Sequence, residues 1–284
     1  MHVSVDGARI FFDVEGAKLV PEGPVMVERP TILLLHGGPG FDHSGFKPSF
    51  GAHLADLAQV VYVDHRGNGR SGGWDQRDRF TLEQWGDDIV GFCEALGIEH
   101  PVVWGWSFGG MVAQAYAARH PGHASKLVLQ STGARCDVER IAEGFRRVAG
   151  EAAAQAARRF WSVDATPEDG MAYFEHCLPR YSPTPTDPLE FGRAVINLEM
   201  IANLPGLKEF DLLDQLPAIT APTLVFVGDV DPVMPVEAAE EIVEHLTGSP
   251  SVELVRIPGA GHDAHRDAPE PVWRAARAFL ESFP

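Results

Sequence analysis

Gly105-Trp106-Ser107-Phe108-Gly109-Gly110 decides how this chain folds. An apolar run, Pro101 to Trp104, leads into it, and a helical pattern, Met111 to Arg119, leads out, so a G-x-S-x-G stands at a strand-to-helix turn. The spacing alone is weak in a chain with 29 glycines, and the strand and helix around it give it meaning. Small residues on both sides let the backbone turn sharply enough to lift a serine hydroxyl toward a substrate carbonyl. The plainer reading is a Gly-rich turn with an incidental serine, so partners elsewhere in the chain must decide.

A free serine is a poor nucleophile and needs a base, which in turn needs a group that orients it and stabilises its charge. Downstream, Gly259-Ala260-Gly261-His262 follows the apolar run Val252 to Ile257, which makes His262 the expected base. The acid is expected between the two, after a strand. Gly228-Asp229-Val230-Asp231-Pro232 closes the run Thr223 to Val227 with two candidates. Asp231, further into the loop, is preferred, and Asp229 at the strand end suits anchoring of backbone amides. Two backbone N–H groups must also face the oxyanion of acyl transfer. The loop His36-Gly37-Gly38-Pro39-Gly40 can supply Gly38, and the helix start can supply Phe108. Trp106, beside the serine, is an expected substrate contact. His262 and His265 form only a His-x-x-His pair without a third ligand, so no metal is expected.

Around these motifs, the sequence alternates strand and helix patterns. The first fifteen residues read as an antiparallel hairpin about Asp6-Gly7, and residues 17 to 29 as a loop. Apolar runs follow at Thr31 to Leu35, Val60 to Val63, Pro101 to Trp104, Leu127 to Gln130, Thr223 to Val227 and Val252 to Ile257. Several lack alternation, as expected of strands covered on both faces. Leu82, Trp85, Ile89, Phe92 and Leu96 make a core-facing helical stripe, with Thr81 and Gln84 as a capping box, Gly97 as a stop and Cys93 packing beside it. This predicts an α/β fold, a mostly parallel eight-stranded sheet flanked by helices. Residues 133–217 contain helical segments and a Pro-rich turn, Ser182 to Pro188, without a convincing strand. They predict a helical cap inserted in a core of residues 1–132 and 218–284. Gly67-Asn68-Gly69-Arg70-Ser71-Gly72 matches G-x-G-x-x-G, but Gly73-Trp74-Asp75 is no helix start, so a dinucleotide site is rejected.

Composition narrows the function classes. The 284 residues suit one catalytic domain. The 40 acidic against 23 basic side chains give a charge of −17, which would repel nucleic acid and anionic membranes. Cys93, Cys136 and Cys177 fit neither a CxxC site nor a disulfide framework. With no signal-like start and no apolar run of membrane length, a cytoplasmic protein is expected. Oligomeric state is not readable, because apolar cap residues could cover a pocket or a second subunit.

Taken together, His36-Gly37-Gly38-Pro39-Gly40, Asp64-His65-Arg66-Gly67-Asn68-Gly69-Arg70-Ser71, the serine turn, the Gly-x-x-Asp loop and the Gly-x-Gly-His loop resemble the landmarks of the α/β-hydrolase serine hydrolases over nearly the whole chain. The first two together resemble the proline iminopeptidase branch. That resemblance implies removal of N-terminal proline from a short peptide and a cap whose acidic residues hold the substrate amine. Asn197-Leu198-Glu199-Met200 is similar to a family segment that supplies such a glutamate, which makes Glu199 the candidate. The elbow, Gly-Trp-Ser-Phe, is more like that of general esterases, and Pro232 stands where some members carry a glutamate. The expectation is therefore hydrolysis of a carboxylic acyl bond without a cofactor, with an iminopeptidase-like activity as the first reading. An esterase or lactonase for small molecules, a perhydrolase-like side activity and a slow-turnover binding protein remain open.

Overall fold

The computed structural model of the chain describes residues 1–47, 49–203 and 206–282. Leu204 and Pro205, inside the expected cap, and Pro48, Phe283 and Pro284, inside the expected core, lie outside the described residues. The strands are β1 (His2–Val5), β2 (Ala8–Glu15), β3 (Leu19–Glu22), β4 (Val25–Glu28), β5 (Thr31–Leu35), β6 (Gln59–Val63), β7 (Val102–Trp106), β8 (Lys126–Gln130), β9 (Thr223–Gly228) and β10 (Val252–Ile257). The helices are α1 (Ser49–Leu54), α2 (Leu82–Leu96), α3 (Phe108–Arg119), α4 (Val138–Ala149), α5 (Glu151–Phe160), α6 (Pro167–His176), α7 (Pro188–Arg193), α8 (Leu198–Asn203), α9 (Val236–His245), α10 (Ala264–Asp267) and α11 (Pro269–Glu281).

Eight strands form one sheet in the order β1-β2-β6-β5-β7-β8-β9-β10. Pairing is antiparallel at β1/β2 and β2/β6 and parallel from β6 to β10. β5, β8 and β9 are buried along their whole length, which is why their sequences run apolar without alternation. Successive residues still serve opposite faces. Leu33, Leu35, Val61 and Val103 pack on one side with α2 and α3, whereas Ile32, Leu34, Val60 and Trp104 pack on the other with Phe50 and Trp273. Chain order reverses between β5 and β7, each of which pairs its neighbour in parallel. Ligands of open parallel sheets gather at such a switch point, beyond the carboxyl ends of the strands. The loop from His36 and the turn at Ser107 leave those two ends.

Two expectations need correction. Residues 17–29 are not an open loop, because β3 and β4 form a separate two-stranded hairpin in which Val20 pairs Val27. Its side chains are mostly exposed, so it writes no buried face into the sequence. In α2, Thr81 accepts from the Gln84 N–H and Gly97 adopts a left-handed φ of 64° as stop. The Gln84 side chain, however, turns to Asp88 and Asp6 and does not close a reciprocal box. Leu82, Trp85, Ile89 and Phe92 are buried with Cys93, whereas Leu96 is 37% exposed at the helix end.

Residues 133–217 leave the sheet after β8, its sixth strand in chain order. Helices α4 to α8 lie in this stretch, and among its described residues the only sheet-like pairing is one bridge, Arg135 with Asp211. The Cys136 N–H donates to Phe210 O at 3.0 Å and the Leu212 N–H to Ala134 O at 2.8 Å. These contacts bring the two ends of the insertion together at its base.

Candidate active site

Ser107 occupies the turn between β7 and α3 with φ 54° and ψ −117°, a conformation that L residues seldom adopt. Its neighbours explain how the turn closes. A Cβ on Gly105 would lie 2.2 Å from Gly109 O, and one on Gly109 would lie 1.9 Å from Leu35 O. Glycine is required at both positions by close backbone approach. The Ser107 N–H donates to Gln130 O at 2.9 Å, and Thr132 Oγ1 donates to Ser107 O at 2.8 Å. The strained turn is thus held from β8 and the residues just after it.

His262 Nε2 lies 3.0 Å from Ser107 Oγ, and His262 Nδ1 lies 2.9 Å from Asp231 Oδ2. Asp231 Oδ1 also accepts the N–H groups of Val233 at 2.9 Å and Met234 at 3.0 Å, which fixes the carboxylate. All three side chains are buried. Burial by itself disfavours a charged imidazole. The charge and hydrogen bond of Asp231, aided by Asp263 and Asp267, outweigh it and raise the His262 pKa above its ordinary 6.5. Asp229 instead accepts the Gly259 N–H at 2.7 Å from an exposed position. The structure therefore brings together Ser107, His262 and Asp231, and leaves Asp229 tying the β9 and β10 loops. Such an array can move a proton from hydroxyl to imidazole while the carboxylate orients the ring.

Gly37 packs against the serine, since a Cβ there would lie 3.4 Å from Ser107 Cβ, and Gly38 follows with φ 120°. Phe108 is the first residue of α3, so its N–H has no acceptor one turn back and lies at the positive end of the helix dipole. The glycine loop is braced from the segment after β6. Asn68 Oδ1 accepts the Gly40 N–H at 2.6 Å, and the His65 N–H donates to His36 Nε2 at 3.2 Å while His36 Nδ1 donates to Gly37 O at 2.7 Å. Arg66, fully buried, pairs with Asp88 through two bonds of 2.8 and 2.6 Å. The Gly67–Gly72 stretch is thus part of a brace.

A cavity of about 350 Å³ opens over the serine, lined by loops of the sheet and by the insertion. Trp106, Phe41, Phe160, Tyr181, Leu207 and Met234 give it an apolar wall. Trp106 is part of this wall, and its Nε1–H donates to His262 O at 3.3 Å. His265, also in the lining, accepts at Nδ1 from Gln130 Nε2 at 2.8 Å, and burial pushes its pKa down to about 3. Among the described residues no group of three or more His, Cys, Asp or Glu could hold a metal.

Glu199 is placed elsewhere. Its side chain is 51% exposed, pairs with the two terminal guanidinium nitrogens of Arg77, and is absent from the cavity lining. Met200 and Ile201, its neighbours on α8, are the buried ones. The residues not foreseen are Trp161, Tyr173 and Tyr181, aromatic groups of the insertion that line the cavity. The available signal was an aromatic residue standing in an otherwise Ala-rich or polar segment.

Comparison with known proteins places the chain. It is 29% identical to "Proline iminopeptidase PfmaB" of Pestalotiopsis fici over 293 residues, covering 95% of this chain and 99% of that protein. It is equally 29% identical to "Monoacylglycerol lipase" of Mycolicibacterium smegmatis over 276 residues, covering 93% and 89%. The crystal structure of VinJ superposes with a TM-score of 0.79 at 22% identity, over 100% of this chain and 98% of that one. Among the described residues no helix is long and apolar enough to cross a membrane. The family model for the alpha/beta hydrolase fold matches residues 30–269, and the chain belongs to that family.

Proposed function

We propose that the chain is a serine hydrolase of uncharged carboxylic esters or lactones with an apolar acyl or alcohol part. The observation that carries this reading is the hydrogen-bonded line from Ser107 Oγ through His262 to Asp231 at the floor of an apolar cavity. Ser107 Oγ attacks the carbonyl carbon as His262 Nε2 takes its proton. The Gly38 and Phe108 N–H groups receive the oxyanion. His262 returns the proton to the leaving alkoxide oxygen, then acts as base for the water that hydrolyses the acyl-serine. Each step uses the chain's own groups and water.

The lining favours an ester over an N-terminal amine. Its two carboxylates are engaged: Asp42 pairs with Arg70 and accepts from Ser44 and Val195, and Asp263 pairs with Arg266. Neither is left to balance a substrate ammonium, whose burial would be costly. Likeness to a relative named proline iminopeptidase supports an aminopeptidase as second reading. A fluorophosphonate probe read by mass spectrometry, beside turnover of proline anilide and a panel of short esters and lactones, tests both. Labelling at Ser107 with ester or lactone turnover is expected, and proline release alone would reinstate the peptidase. Full activity of Ser107→Ala would overturn the mechanism, and absence of both labelling and turnover would favour a binding protein.

A further inference from the structure

Three hydrogen-bonding groups of the insertion meet in the cavity wall. Trp161, which follows α5, donates its Nε1–H to Tyr173 OH of α6 at 3.3 Å. Tyr173 OH lies 2.7 Å from Tyr181 OH, in the segment after the 3₁₀ turn Leu178–Arg180. All three residues line the cavity, and the Tyr181 ring stands edge-on to the His262 ring at 5.3 Å between centroids.

Counting donors shows that this cluster cannot satisfy itself. It holds three donor protons, on Trp161 Nε1 and the two hydroxyls, and makes two hydrogen bonds. If Tyr173 donates to Tyr181, the Tyr181 proton is spare, and if Tyr181 donates, the Tyr173 proton is spare. Among the described residues neither hydroxyl has a further hydrogen-bond partner. Burial raises the pKa of both phenols, so both protons are held at neutral pH. Tyr173 is buried and Tyr181 partly exposed at the cavity wall, so the spare proton is left to water or to an acceptor that a ligand brings, and a well-placed ligand oxygen can replace that water.

We propose that Tyr173 and Tyr181 form a donor subsite for an uncharged oxygen acceptor, a keto, hydroxyl, ether or second ester oxygen, carried on the apolar part of the substrate. An anionic acceptor is disfavoured because the surrounding wall is apolar and desolvating a charge there is expensive. The subsite adjoins His262, so the acceptor oxygen belongs a few bonds from the scissile carbonyl. This inference rests on the ester-hydrolase reading for where that carbonyl sits, and its test can be read without turnover.

The test is calorimetric binding of ethyl hexanoate and its 3-oxo and 5-oxo analogues to the full Ser107→Ala chain. At the better-placed position the oxo ester should bind about tenfold tighter than ethyl hexanoate, the upper range for a neutral hydrogen bond. In Trp161→Phe/Tyr173→Phe/Tyr181→Phe, which also removes the indole donor that loss of the Tyr173 hydroxyl would leave spare, this ratio should fall to about one. Tyr181→Phe alone leaves the Tyr173 proton spare and should keep a preference while changing which oxo position is favoured. That outcome keeps the proposal testable if the triple variant, checked by thermal melting, does not fold. A ratio below threefold at every position, or one that survives in a folded triple variant, overturns the subsite. Failure of the hydrolase reading would show separately, as absence of fluorophosphonate labelling at Ser107 in the parent chain.

Discussion

The Tyr181 carbonyl accepts the backbone N–H of His262 at 2.7 Å, so the insertion that lines the cavity also holds the loop carrying the histidine. Ser182 Oγ extends the contact by accepting the Asp263 N–H at 3.0 Å. The two segments also pack closely at Gly261, where a Cβ would lie 2.3 Å from Tyr181 O and 2.8 Å from Ser182 Cα. The cavity wall built by the insertion and the position of the imidazole are therefore mechanically linked.

Gly261→Ala should separate the two segments and displace His262 from Ser107. Overpacking costs about 1–3 kcal/mol in stability, and misplacing a reacting group by about 1 Å can cost about 100-fold in rate. We expect kcat on a short ester to fall at least about tenfold, with a smaller change in KM. Steady-state kinetics beside a thermal melt would check this, and a kcat within twofold of the parent would contradict the linkage.

On the proposed mechanism, Asp231 sets the pH at which the base is lost. Burial lowers the His262 pKa, but Asp231, with help from Asp263 and Asp267, raises it above 6.5 overall. In the proposed mechanism the neutral imidazole is the working form, so kcat/KM should decline as pH falls through this raised value. Asp231→Asn removes the raising charge, so the acid limb should move to lower pH while the plateau falls by about 10⁴-fold, the loss seen when a triad Asp becomes Asn. A pH–rate profile of both proteins tests the sign, and a limb that moves to higher pH would refute the assignment.

His265 predicts the direction of acid sensitivity. Its folded-state pKa is pushed from 6.5 down to about 3 by burial, with Arg266 and His262 adding to the effect. The unfolded chain therefore binds a proton that the folded one refuses. Stability is complete above about 6.5 and declines as pH falls from there toward 3, by about 1.4 kcal/mol per pH unit for this group. Urea denaturation at pH 7, 6 and 5 should show a shallower loss in His265→Asn than in the parent. The window lies above the ordinary carboxylate range, and parallel curves would rule His265 out as a source of the slope.

Which features the sequence disclosed follows from how local their causes are. Ser107 was legible because strand, sharp turn and helix start lie within about a dozen residues, and the glycines that permit the turn are adjacent to it. Asp231 and His262 were legible as loops after strands, since a parallel sheet delivers those loops to one edge. The exposed β3/β4 hairpin was not legible, because it buries no stripe that alternation could reveal. Tyr173 and Tyr181 share no motif with the segments carrying Ser107, Asp231 and His262, and only the fold of the insertion brings them to His262. Glu199 shows the same limit from the other side, since tertiary packing decides which face of α8 turns inward.

Glu199→Gln distinguishes that packing from the role implied by resemblance. The Glu199 carboxylate is half exposed and engaged by Arg77, and its charge can be removed without uncovering a buried group. Exposed pairs of this kind contribute about 0–1 kcal/mol, so the melting temperature should hardly move. Ester turnover should also stay within about twofold of the parent, since neither Glu199 nor Arg77 lines the cavity. If a side chain outside the cavity reads no amine, any hydrolysis of proline anilide should be equally unaffected. Selective loss of the anilide activity, with ester turnover intact, would mean that α8 turns Glu199 inward when substrate binds and would restore the iminopeptidase reading.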